Sequence, residues 1–225
     1  MSRGKCVFFF DFDNTITKFD ILDDMLERFS KDDNWMALEE KWKRGEIGSL
    51  ECLDAQIRGI KITRGRLDSY LSGIKLDPSF KKILGLCDRN NTRKVILSDN
   101  FDYILKGILK NNGISGVDVY CNSLKLLKES LIPRFPYSGR CRKRCAHCKT
   151  GNLKANIGRN TRSIYVGDGL SDLCPSKRTD LVFAKSSLRE RLSSEKVPFV
   201  PFDDLSDVYK YLKRSESWPK NRRPS

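Results

Sequence analysis

The sequence predicts an α/β protein built on a parallel sheet, and two observations lead to this prediction. Apolar runs of strand length recur along the chain, and three of them end at polar residues: Val7 to Phe10, Val95 to Leu97 and Ile164 to Val166. Amphipathic stretches with helical spacing lie between these runs. Strands of a parallel sheet are covered on both faces and are therefore apolar throughout. Their polar ends should meet at one edge, beyond the carboxyl ends of the strands, where ligands bind in such sheets.

Length and charge limit the classes of protein to consider. At 225 residues the chain is long enough for one well-buried core but short for two full domains. The net charge is +14, from 43 lysines and arginines against 29 aspartates and glutamates, so the protein should attract anions. The sequence has neither an RNA-binding aromatic motif nor a zinc finger with paired histidines. A small phosphorylated metabolite is therefore a better candidate partner than nucleic acid.

Neither a membrane segment nor a disulfide scaffold is predicted. No apolar run approaches the roughly 20 residues that span a bilayer, and Met1 to Lys5 are too few for a signal peptide. We therefore expect a cytoplasmic protein without membrane contact. Disulfide scaffolds belong to small secreted domains, whereas five of the eight cysteines stand singly in apolar or mixed surroundings that favour burial: Cys6, Cys52, Cys87, Cys121 and Cys174.

The first predicted strand, residues 5–13, ends in two carboxylates one residue apart, Asp11 and Asp13. At about 4 Å two like charges repel by roughly 4 kcal/mol, so a cation must lie between them or one of them must hold a proton. Phosphoryl transfer uses both solutions, with one aspartate as metal ligand and nucleophile and the other as acid and then base. A solvated turn is the alternative. An EF-hand loop is excluded because Ile16 and Leu22 stand where it needs Gly and Glu.

Residues 18–77 are predicted to form a helical insertion after this strand. Apolar side chains recur at helical spacing in several stretches: Ile21 to Phe29, Trp35 to Trp42, Leu50 to Ile57, and Thr63 to Leu71, with Thr63 as a candidate N-cap. An insertion placed over the strand ends would exclude water and contact the substrate. Simple packing of these helices on the sheet is the alternative.

The chain then returns to the core, residues 78–212. The patterns predict these elements in order: helix Pro78 to Cys87, strand Arg93 to Leu97, helix Phe101 to Asn111, strand Val117 to Cys121, strand Arg162 to Val166, strand Leu181 to Ala184, helix Leu188 to Leu192, edge strand at Phe199 and Val200, and helix Asp203 to Leu212. Residues 124–137 show no clear period, and a small β excursion is one interpretation. Residues 213–225 are basic and polar, with two prolines, and are predicted to be a disordered tail.

Segments that occur in order along the chain resemble the motifs of the haloacid dehalogenase-like (HAD) hydrolases. Asp11 to Thr15 is similar to motif I, D-x-D-x-T; Ser98 at the end of a strand is similar to motif II; Lys149 to the motif III lysine; and Gly167 to Asp172 to motif IV, G-D-x-x-x-D. The resemblance covers nearly the whole chain. It implies the HAD fold: a Rossmann-like three-layer core, residues 1–17 and 78–212, with a C1-type helical cap at 18–77.

The resemblance also implies an activity. The motifs are most similar to the phosphoserine phosphatase-like branch, subfamily IB, which includes methionine-salvage enol-phosphate phosphatases and phosphoethanolamine/phosphocholine phosphatases. A Mg²⁺-dependent phosphatase of small-molecule phosphate monoesters is therefore expected. Asp11 would attack phosphorus to form an aspartyl-phosphate, Asp13 would act as acid and then base, Ser98 would bind a phosphoryl oxygen, and Lys149 would offset the charge. Lys154 is the second candidate for the lysine.

The implied Mg²⁺ ligands are Asp11, the backbone carbonyl of Asp13, and Asp168. Asp172, one helical turn after Asp168, completes this acidic set and would order metal-bound water or the lysine.

The resemblance also suggests residues that bind the substrate. Asp99 and Asp20 are similar to acidic positions that contact substrate in related phosphatases, and together they could hold a cationic amine. Asn100 belongs to the same candidate set. Asp20 also precedes Ile21 as an ordinary helix N-cap would. An anion- or nucleic-acid-binding protein on the same scaffold, without turnover, is the alternative function, and strongly salt-dependent binding of polyanions would distinguish it.

The segment before Lys149 contains the only histidine and three cysteines: Cys141, Cys145, His147 and Cys148. Thiolate and imidazole are the usual zinc ligands, but the spacing lacks a clear second half. The neighbouring basic residues would favour thiolates, which equally suits a redox-sensitive pair. A structural metal, a labile disulfide and plain thiols in a loop all stay open.

Overall fold

The computed structural model describes residues 6–139 and 144–214. Its strands form one sheet and are numbered in chain order: β1 (Cys6–Phe10), β2 (Thr92–Phe101), β3 (Asp118–Leu127), β4 (Ser130–Arg134), β5 (Arg162–Gly167), β6 (Leu181–Ala184) and β7 (Val200–Pro201). Their order across the sheet is β4-β3-β2-β1-β5-β6-β7. Only the pairing of β4 with β3 is antiparallel among the described strands. The predicted α/β class with a mainly parallel sheet is confirmed.

Helices cover both faces of this sheet. They are α1 (Ile21–Phe29), α2 (Asn34–Lys43), α3 (Ser49–Gly59), α4 (Arg64–Gly73), α5 (Pro78–Arg89), α6 (Asp102–Asn111), α7 (Lys149–Asn156), α8 (Leu173–Ser176), α9 (Ser186–Ser194) and α10 (Leu205–Arg214), with a 3₁₀ turn at Leu170–Asp172. Thr63 caps α4, as predicted, because its hydroxyl accepts from the Arg66 N–H. In the part of the chain that the structure describes, no helix combines the length and apolar character needed to cross a bilayer.

The central strand β1 shows why the sheet is buried on both sides. All five of its residues are buried, and successive side chains point to opposite faces. Phe8 and Phe10 belong to the large apolar cluster that includes residues of α5, α6 and α10. Val7 and Phe9 belong to a second cluster with Leu153 of α7. The strand is therefore the middle of a three-layer core, and its carboxyl end leads directly to Asp11.

Helices α1 to α4 form the insertion predicted between the first strand and the core helix α5. They share a core with the sheet domain: Leu67 and Leu71 of α4 lie in the same apolar cluster as β1, and Leu71 packs closely on Gly107 of α6. On another side, the Lys61 ammonium donates to the Ser130 hydroxyl at 2.6 Å. The insertion is thus packed onto α6 and held to the β3–β4 hairpin, while its exact limits, 18–77, stay a prediction.

Two predicted strands end elsewhere in the structure, and the first of them, predicted for residues 5–13, ends at Phe10. The second strand continues beyond Leu97 to Phe101, with an irregular register between these two residues, so that Ser98 to Asn100 lie in a distorted strand extension and not in a turn. Residues 124–137, which showed no clear period, contain the end of β3 and the whole of β4. The excursion is an antiparallel hairpin because a tight turn allows a strand to fold back at the edge of the sheet.

The predicted tail begins too early. Helix α10 continues to Arg214, so Lys213 and Arg214 are helical and not part of a tail. The rest of the predicted tail, residues 215–225, lies outside the described residues.

Four of the five singly placed cysteines are buried as predicted: Cys6, Cys52, Cys87 and Cys121. Burial raises the pKa of the Cys6 thiol to about 11, which keeps it protonated and unreactive. Cys174 is exposed, so the prediction of burial is wrong for that residue. It lies in the short helix α8, on the solvent side.

Candidate active site

The residues of the predicted motifs meet at the carboxyl edge of the sheet. Asp11 follows β1, Asp168 follows β5, and Lys149 is the first residue of α7. The Lys149 ammonium lies 2.5 Å from Oδ1 of Asp11 and 2.8 Å from Oδ1 of Asp172. One carboxylate oxygen from each of Asp11, Asp168 and Asp172 lies within 4.8 Å of the others. Chain segments that are far apart in sequence therefore converge on one acidic centre with a single buried ammonium among the residues described.

Lys149 is held as a cation by this arrangement. Its side chain is almost fully buried. Burial by itself would lower the pKa of Lys149, but the carboxylates of Asp11 and Asp172 outweigh this effect and hold the pKa well above its ordinary value. The second candidate, Lys154, is exposed on the same helix. Lys149 is thus the lysine that meets the carboxylates.

Asp172 is positioned as a support for Lys149. Its Oδ1 accepts from the Lys149 ammonium and, at 2.6 Å, from the Tyr165 hydroxyl. Its Oδ2 accepts from the N–H groups of Asp168 at 3.1 Å and Gly169 at 3.0 Å. Both oxygens are therefore already bonded within the protein, so Asp172 orients the lysine and the Asp168 turn.

Tyr165 is a site residue that the sequence reasoning missed, whereas Gly167 was already part of the motif IV segment. Tyr165 is fully buried in β5, and a buried hydroxyl needs a partner, which here is Asp172. A β-carbon at Gly167 would lie 2.5 Å from Oδ2 of Asp172, so only glycine allows this approach. The signal in the sequence was a tyrosine between Ile164 and Val166, which is a polar group in an otherwise apolar strand.

Asp13 has different surroundings from Asp11. Its carboxylate accepts from the Ile21 N–H at 3.0 Å and from the Asn100 amide, which lies 3.1 Å from each oxygen. The Ser98 hydroxyl lies 3.5 Å away. All three donors are uncharged. Burial and then the charge of Asp20 raise the pKa of Asp13 well above its ordinary value, which favours the protonated form that an acid catalyst needs.

Asn100, predicted as a substrate-binding residue, is fully buried. Its amide nitrogen bonds Asp13, and its amide oxygen accepts from the Phe101 N–H at 2.7 Å. These two contacts determine the orientation of the amide. Asn100 therefore contacts Asp13 from within the protein, and its side chain is not exposed to a substrate.

The two acidic residues predicted to contact substrate lie near the site in different ways. Asp20 is the N-cap of α1, since its Oδ1 accepts from the N–H groups of Leu22 at 2.9 Å and Asp23 at 3.1 Å. The side chain of Asp99 is partly exposed, and its Oδ2 lies 3.9 Å from the Lys149 ammonium. Asp20 thus has the capping role that was one of its two alternatives, and one of its oxygens makes both capping contacts.

The side of the site that faces the insertion accumulates negative charge. Burial raises the pKa of Asp20, and the charges of Glu39 and Asp99 raise it further. Partial burial, with the charges of Asp20 and Glu39, raises the pKa of Asp23 to about 7. These shifts show that the acidic groups repel one another, and the charge of Lys43 only partly offsets this repulsion at Asp23.

The central carboxylates fit a divalent metal ion. Burial, and then the charge of Asp172, raise the pKa values of Asp11 and Asp168, the latter to about 6. The three carboxylates of Asp11, Asp168 and Asp172 face one ammonium, that of Lys149, so negative charge remains uncompensated. Mg²⁺ prefers oxygen ligands, and its positive charge would offset the remaining negative charge of the carboxylates. The donor set thus suits Mg²⁺.

The cysteine-rich segment gives no support to a zinc site within the described residues. Cys141 lies outside them. Cys145, His147 and Cys148 join no group of metal-ligating side chains in ranges 6–139 and 144–214. Both ring nitrogens of His147 contact protein groups, the Ser98 carbonyl and the Asn152 amide. His147 is therefore not available as a zinc ligand, and the hypotheses that involve Cys141 stay untested.

Comparison with known proteins agrees with these motifs. The family model of haloacid dehalogenase-like hydrolases matches residues 8–174. A 2-hydroxy-3-keto-5-methylthiopentenyl-1-phosphate phosphatase of Brevibacillus brevis is 26% identical over 214 residues, which cover 93% of this chain and 96% of the relative. The enzyme of the same name from Geobacillus thermodenitrificans is 24% identical, and the match covers 95% of this chain and 98% of the relative.

Solved structures show the same fold. A substrate-bound phosphoserine phosphatase matches with a TM-score of 0.69 at 15% identity, covering 93% of this chain and 99% of that one. The phosphoserine phosphatase of T. onnurineus matches with a TM-score of 0.67 at 18% identity, covering 95% of this chain and 98% of that one. Motifs, fold and family model agree: this chain belongs to the haloacid dehalogenase-like hydrolase family.

Proposed function

We propose that the protein is a Mg²⁺-dependent phosphatase that hydrolyses a small-molecule phosphate monoester through an aspartyl-phosphate on Asp11. One observation carries the proposal: a buried carboxylate at the end of β1 contacts a buried lysine, and further carboxylates lie beside them. This combination supports the roles proposed for Asp11 as nucleophile and for Lys149 as a cation beside the phosphoryl group.

Asp11, the backbone carbonyl of Asp13, and Asp168 would hold Mg²⁺, with Asp172 behind them. When bound, the ion orients the phosphate and offsets its charge. Lys149 contributes a second positive charge next to Asp11, which reduces repulsion between the attacking carboxylate and the anionic substrate.

The two motif I aspartates divide the chemistry. Asp11 attacks phosphorus in line, and the bond between phosphorus and the leaving oxygen breaks while the bond to Asp11 forms. Asp13, with its raised pKa, donates its proton to the leaving alkoxide. The same carboxylate then takes a proton from the water that attacks the aspartyl-phosphate, which releases inorganic phosphate and restores both residues.

A polyanion-binding protein without turnover is not favoured. Such a protein would not need a buried carboxylate in contact with a buried lysine, with an acid of raised pKa two positions further along the chain. Buried ionic groups of this kind are costly to maintain, and they typically mark catalytic sites.

For the substrate we propose a monoester with an uncharged or cationic leaving group. Asp20, Asp23, Glu39 and Asp99 place negative charge on the side of the insertion, which disfavours a second phosphate or carboxylate on the substrate. The relatives' enol phosphate and an aminoalcohol phosphate such as phosphoethanolamine both satisfy this condition. Asp20 and Asp99 are the proposed contacts for an ammonium group.

The test is turnover of a panel of phosphate esters with Mg²⁺. The panel contains phosphoethanolamine, phosphocholine, phosphoserine, the enol phosphate named for the relatives, and a bisphosphate. We expect release of phosphate from one or more of phosphoethanolamine, phosphocholine and the enol phosphate, and little or none from phosphoserine, which carries a carboxylate, or from the bisphosphate.

Asp11→Asn is the matched variant for the mechanism. It should lower kcat by at least about 10³-fold, because the nucleophile is lost while size and hydrogen bonding are nearly preserved. Glu190→Gln, at an exposed position of α9, is the control and should keep wild-type turnover. Full turnover by Asp11→Asn would exclude Asp11 as the nucleophile.

A further inference from the structure

The only histidine of the chain is buried next to the active site but does not face the acidic centre. His147 is 2% exposed, and it precedes Lys149 by two positions. Its backbone carbonyl accepts from the Lys149 N–H at 3.0 Å, so His147 lies directly before the N-terminus of α7. Neither the reaction described above nor a metal site uses its ring.

Both nitrogens of the ring are bonded within the protein. Nδ1 lies 2.7 Å from the backbone carbonyl oxygen of Ser98, and Nε2 lies 2.6 Å from the amide nitrogen of Asn152. Because a carbonyl oxygen only accepts, Nδ1 must carry the proton, and Nε2 then accepts from Asn152. The ring is therefore neutral and in one tautomer. Burial also lowers the pKa of His147, which agrees with a neutral ring.

The bonded carbonyl lies in a part of β2 where the sheet offers little support. The ladder with β1 ends at Ile96, and the ladder with β3 skips from Leu97 to Phe101. Ser98 lies between these positions and is 1% exposed. A buried carbonyl outside the ladder needs another partner, and His147 supplies it.

The two residues that the His147 ring contacts, Ser98 and Asn152, belong to different parts of the candidate site. Ser98 carries the hydroxyl proposed to bind a phosphoryl oxygen, and that hydroxyl lies 3.5 Å from Asp13. Asn152 lies on α7, three positions after Lys149. The ring thus connects a distorted strand end with the helix that positions the catalytic lysine.

We propose that His147 is a positioning residue, whose neutral ring bridges Ser98 and Asn152 and so sets the distance between the Ser98 hydroxyl and Lys149. The proposal rests on the phosphatase function given above. His147 does not touch the substrate in this arrangement. It acts through Ser98, whose hydroxyl still accepts from the Asn100 N–H at 3.0 Å but whose carbonyl loses its ring partner without the bridge; displacements of about 1 Å at such a site lower rates substantially.

The decisive experiment is a double-mutant cycle with His147→Phe and Ser98→Ala. We expect His147→Phe to lower kcat/KM by about 30-fold in the wild-type background and by less than about 3-fold when Ser98 is already alanine. A purely structural residue would lower activity by the same factor in both backgrounds. Equal losses would therefore overturn the proposal.

Two further variants distinguish the contact of the Nδ1 atom of His147 from the contact of its Nε2 atom. His147→Asn places an amide N–H near the position of Nδ1 and can still donate to the Ser98 carbonyl, so it should stay within about 5-fold of wild type. His147→Gln reaches toward Asn152 and loses the Ser98 contact, so it should resemble His147→Phe. If His147→Phe does not fold, this pair decides, and a Gln variant as active as the Asn variant contradicts the proposal.

Tyr120→Phe is the control for stability. It removes the hydroxyl that donates to Asn156 of α7 at 3.1 Å, a part-buried polar contact of the same helix without connection to Ser98. It should lower the unfolding temperature but leave kcat/KM near wild type.

A second measurement tests the bridge even if the proposed phosphatase function is wrong. If the wild type turned over no ester, the same four proteins of the cycle would be compared by calorimetric binding of inorganic phosphate. The bridge predicts weaker binding in His147→Phe and no additional weakening when Ser98→Ala is present. Additive weakening would reject the bridge independently of turnover.

Discussion

Asp11 and Asp13 stand two positions apart at the end of one strand, yet their surroundings are opposite in character. Asp11 contacts an ammonium, that of Lys149, which Asp172 holds in place. Asp13 contacts only uncharged donors, from Ile21 and from Asn100 of β2, and burial, followed by the charge of Asp20, raises its pKa.

This difference shows how one residue type performs two roles. Burial raises the pKa of both carboxylates. In the proposed mechanism the Lys149 ammonium in contact with Asp11 favours its ionised, attacking form, whereas Asp13 has no cation in contact and its raised pKa favours the form that donates a proton. The sheet core supplies the cation through α7, and the insertion supplies the acidic neighbourhood through α1. The experiments below each change one side of this contrast.

Lys149→Met should have the largest effect, because it removes the cation from the Asp11 side. Asp11 and Asp172 would lose their common partner, and we expect kcat/KM to fall by about 10³-fold. Leaving buried carboxylates unpaired should also lower the free energy of unfolding by about 3–5 kcal/mol. Steady-state kinetics and urea unfolding measure the two effects.

Lys154→Met is the control for this change. It removes an exposed ammonium from the same helix and should alter neither quantity appreciably. Loss of activity in Lys154→Met, with Lys149→Met nearly unaffected, would show that the lysine has been assigned to the wrong position.

Asp13→Asn tests the acid side and should give a loss that depends on the leaving group. With an alkyl ester such as phosphoethanolamine, kcat should fall by about 10²-fold because the alkoxide leaves without a proton. With p-nitrophenyl phosphate, whose leaving group needs no proton, the first step should remain fast. A burst of p-nitrophenol should then be followed by slow turnover, since Asp13 also activates the water. Equal losses for the two esters, without a burst, would refute the acid role.

Asp23→Asn should have the smallest effect, on stability and not on chemistry. The pKa of Asp23 is raised from 3.8 to about 7 in the folded protein. The folded state therefore binds a proton that the unfolded state has lost, so Asp23 makes stability fall as the pH rises from about 4 to 7. Asp23→Asn removes this contribution, and the unfolding temperature at pH 8 should be about 1–2 °C higher than that of wild type, the effect being reduced by solvent screening.

The pH dependence of this difference is the measurement. Asp23→Asn and wild type should converge at pH 4, where the carboxylate is largely protonated in the folded state. Glu190→Gln, at an exposed position of α9, should follow wild type at every pH. A variant that is less stable than wild type at pH 8 would show that Asp23 is stabilised by its neighbours and not repelled by them.

The carboxyl ends of parallel strands made much of the site predictable. Asp11 and Asp168 each follow an apolar run, and such runs in an α/β chain end at the same edge of the sheet. The helical insertion was also predictable, because amphipathic spacing over residues 18–77 has no counterpart in the strand segments. The order of the motifs then indicated Lys149, although Lys154 stood close enough to compete.

Contacts between distant side chains were not predictable in this way. The hydroxyl of Tyr165 on Asp172, the amide of Asn100 on Asp13 and the ring of His147 on the Ser98 carbonyl depend on how elements pack. Nothing in the local pattern distinguishes a histidine that binds metal from one that supports a backbone carbonyl. The β3–β4 hairpin was obscure for a similar reason, since an edge strand is partly exposed and loses the apolar signal.

The sequence by itself predicted the class of fold, the edge of the sheet where the candidate site lies and the carboxylates proposed to react, because periodicity and strand ends are local properties. The tertiary structure alone showed that Lys149 is buried against these carboxylates, which neighbours raise the pKa of each aspartate, and which groups the single histidine contacts. These outcomes depend on burial and on the charges that folding brings within a few ångströms, and segments separated by many residues in the chain supply them.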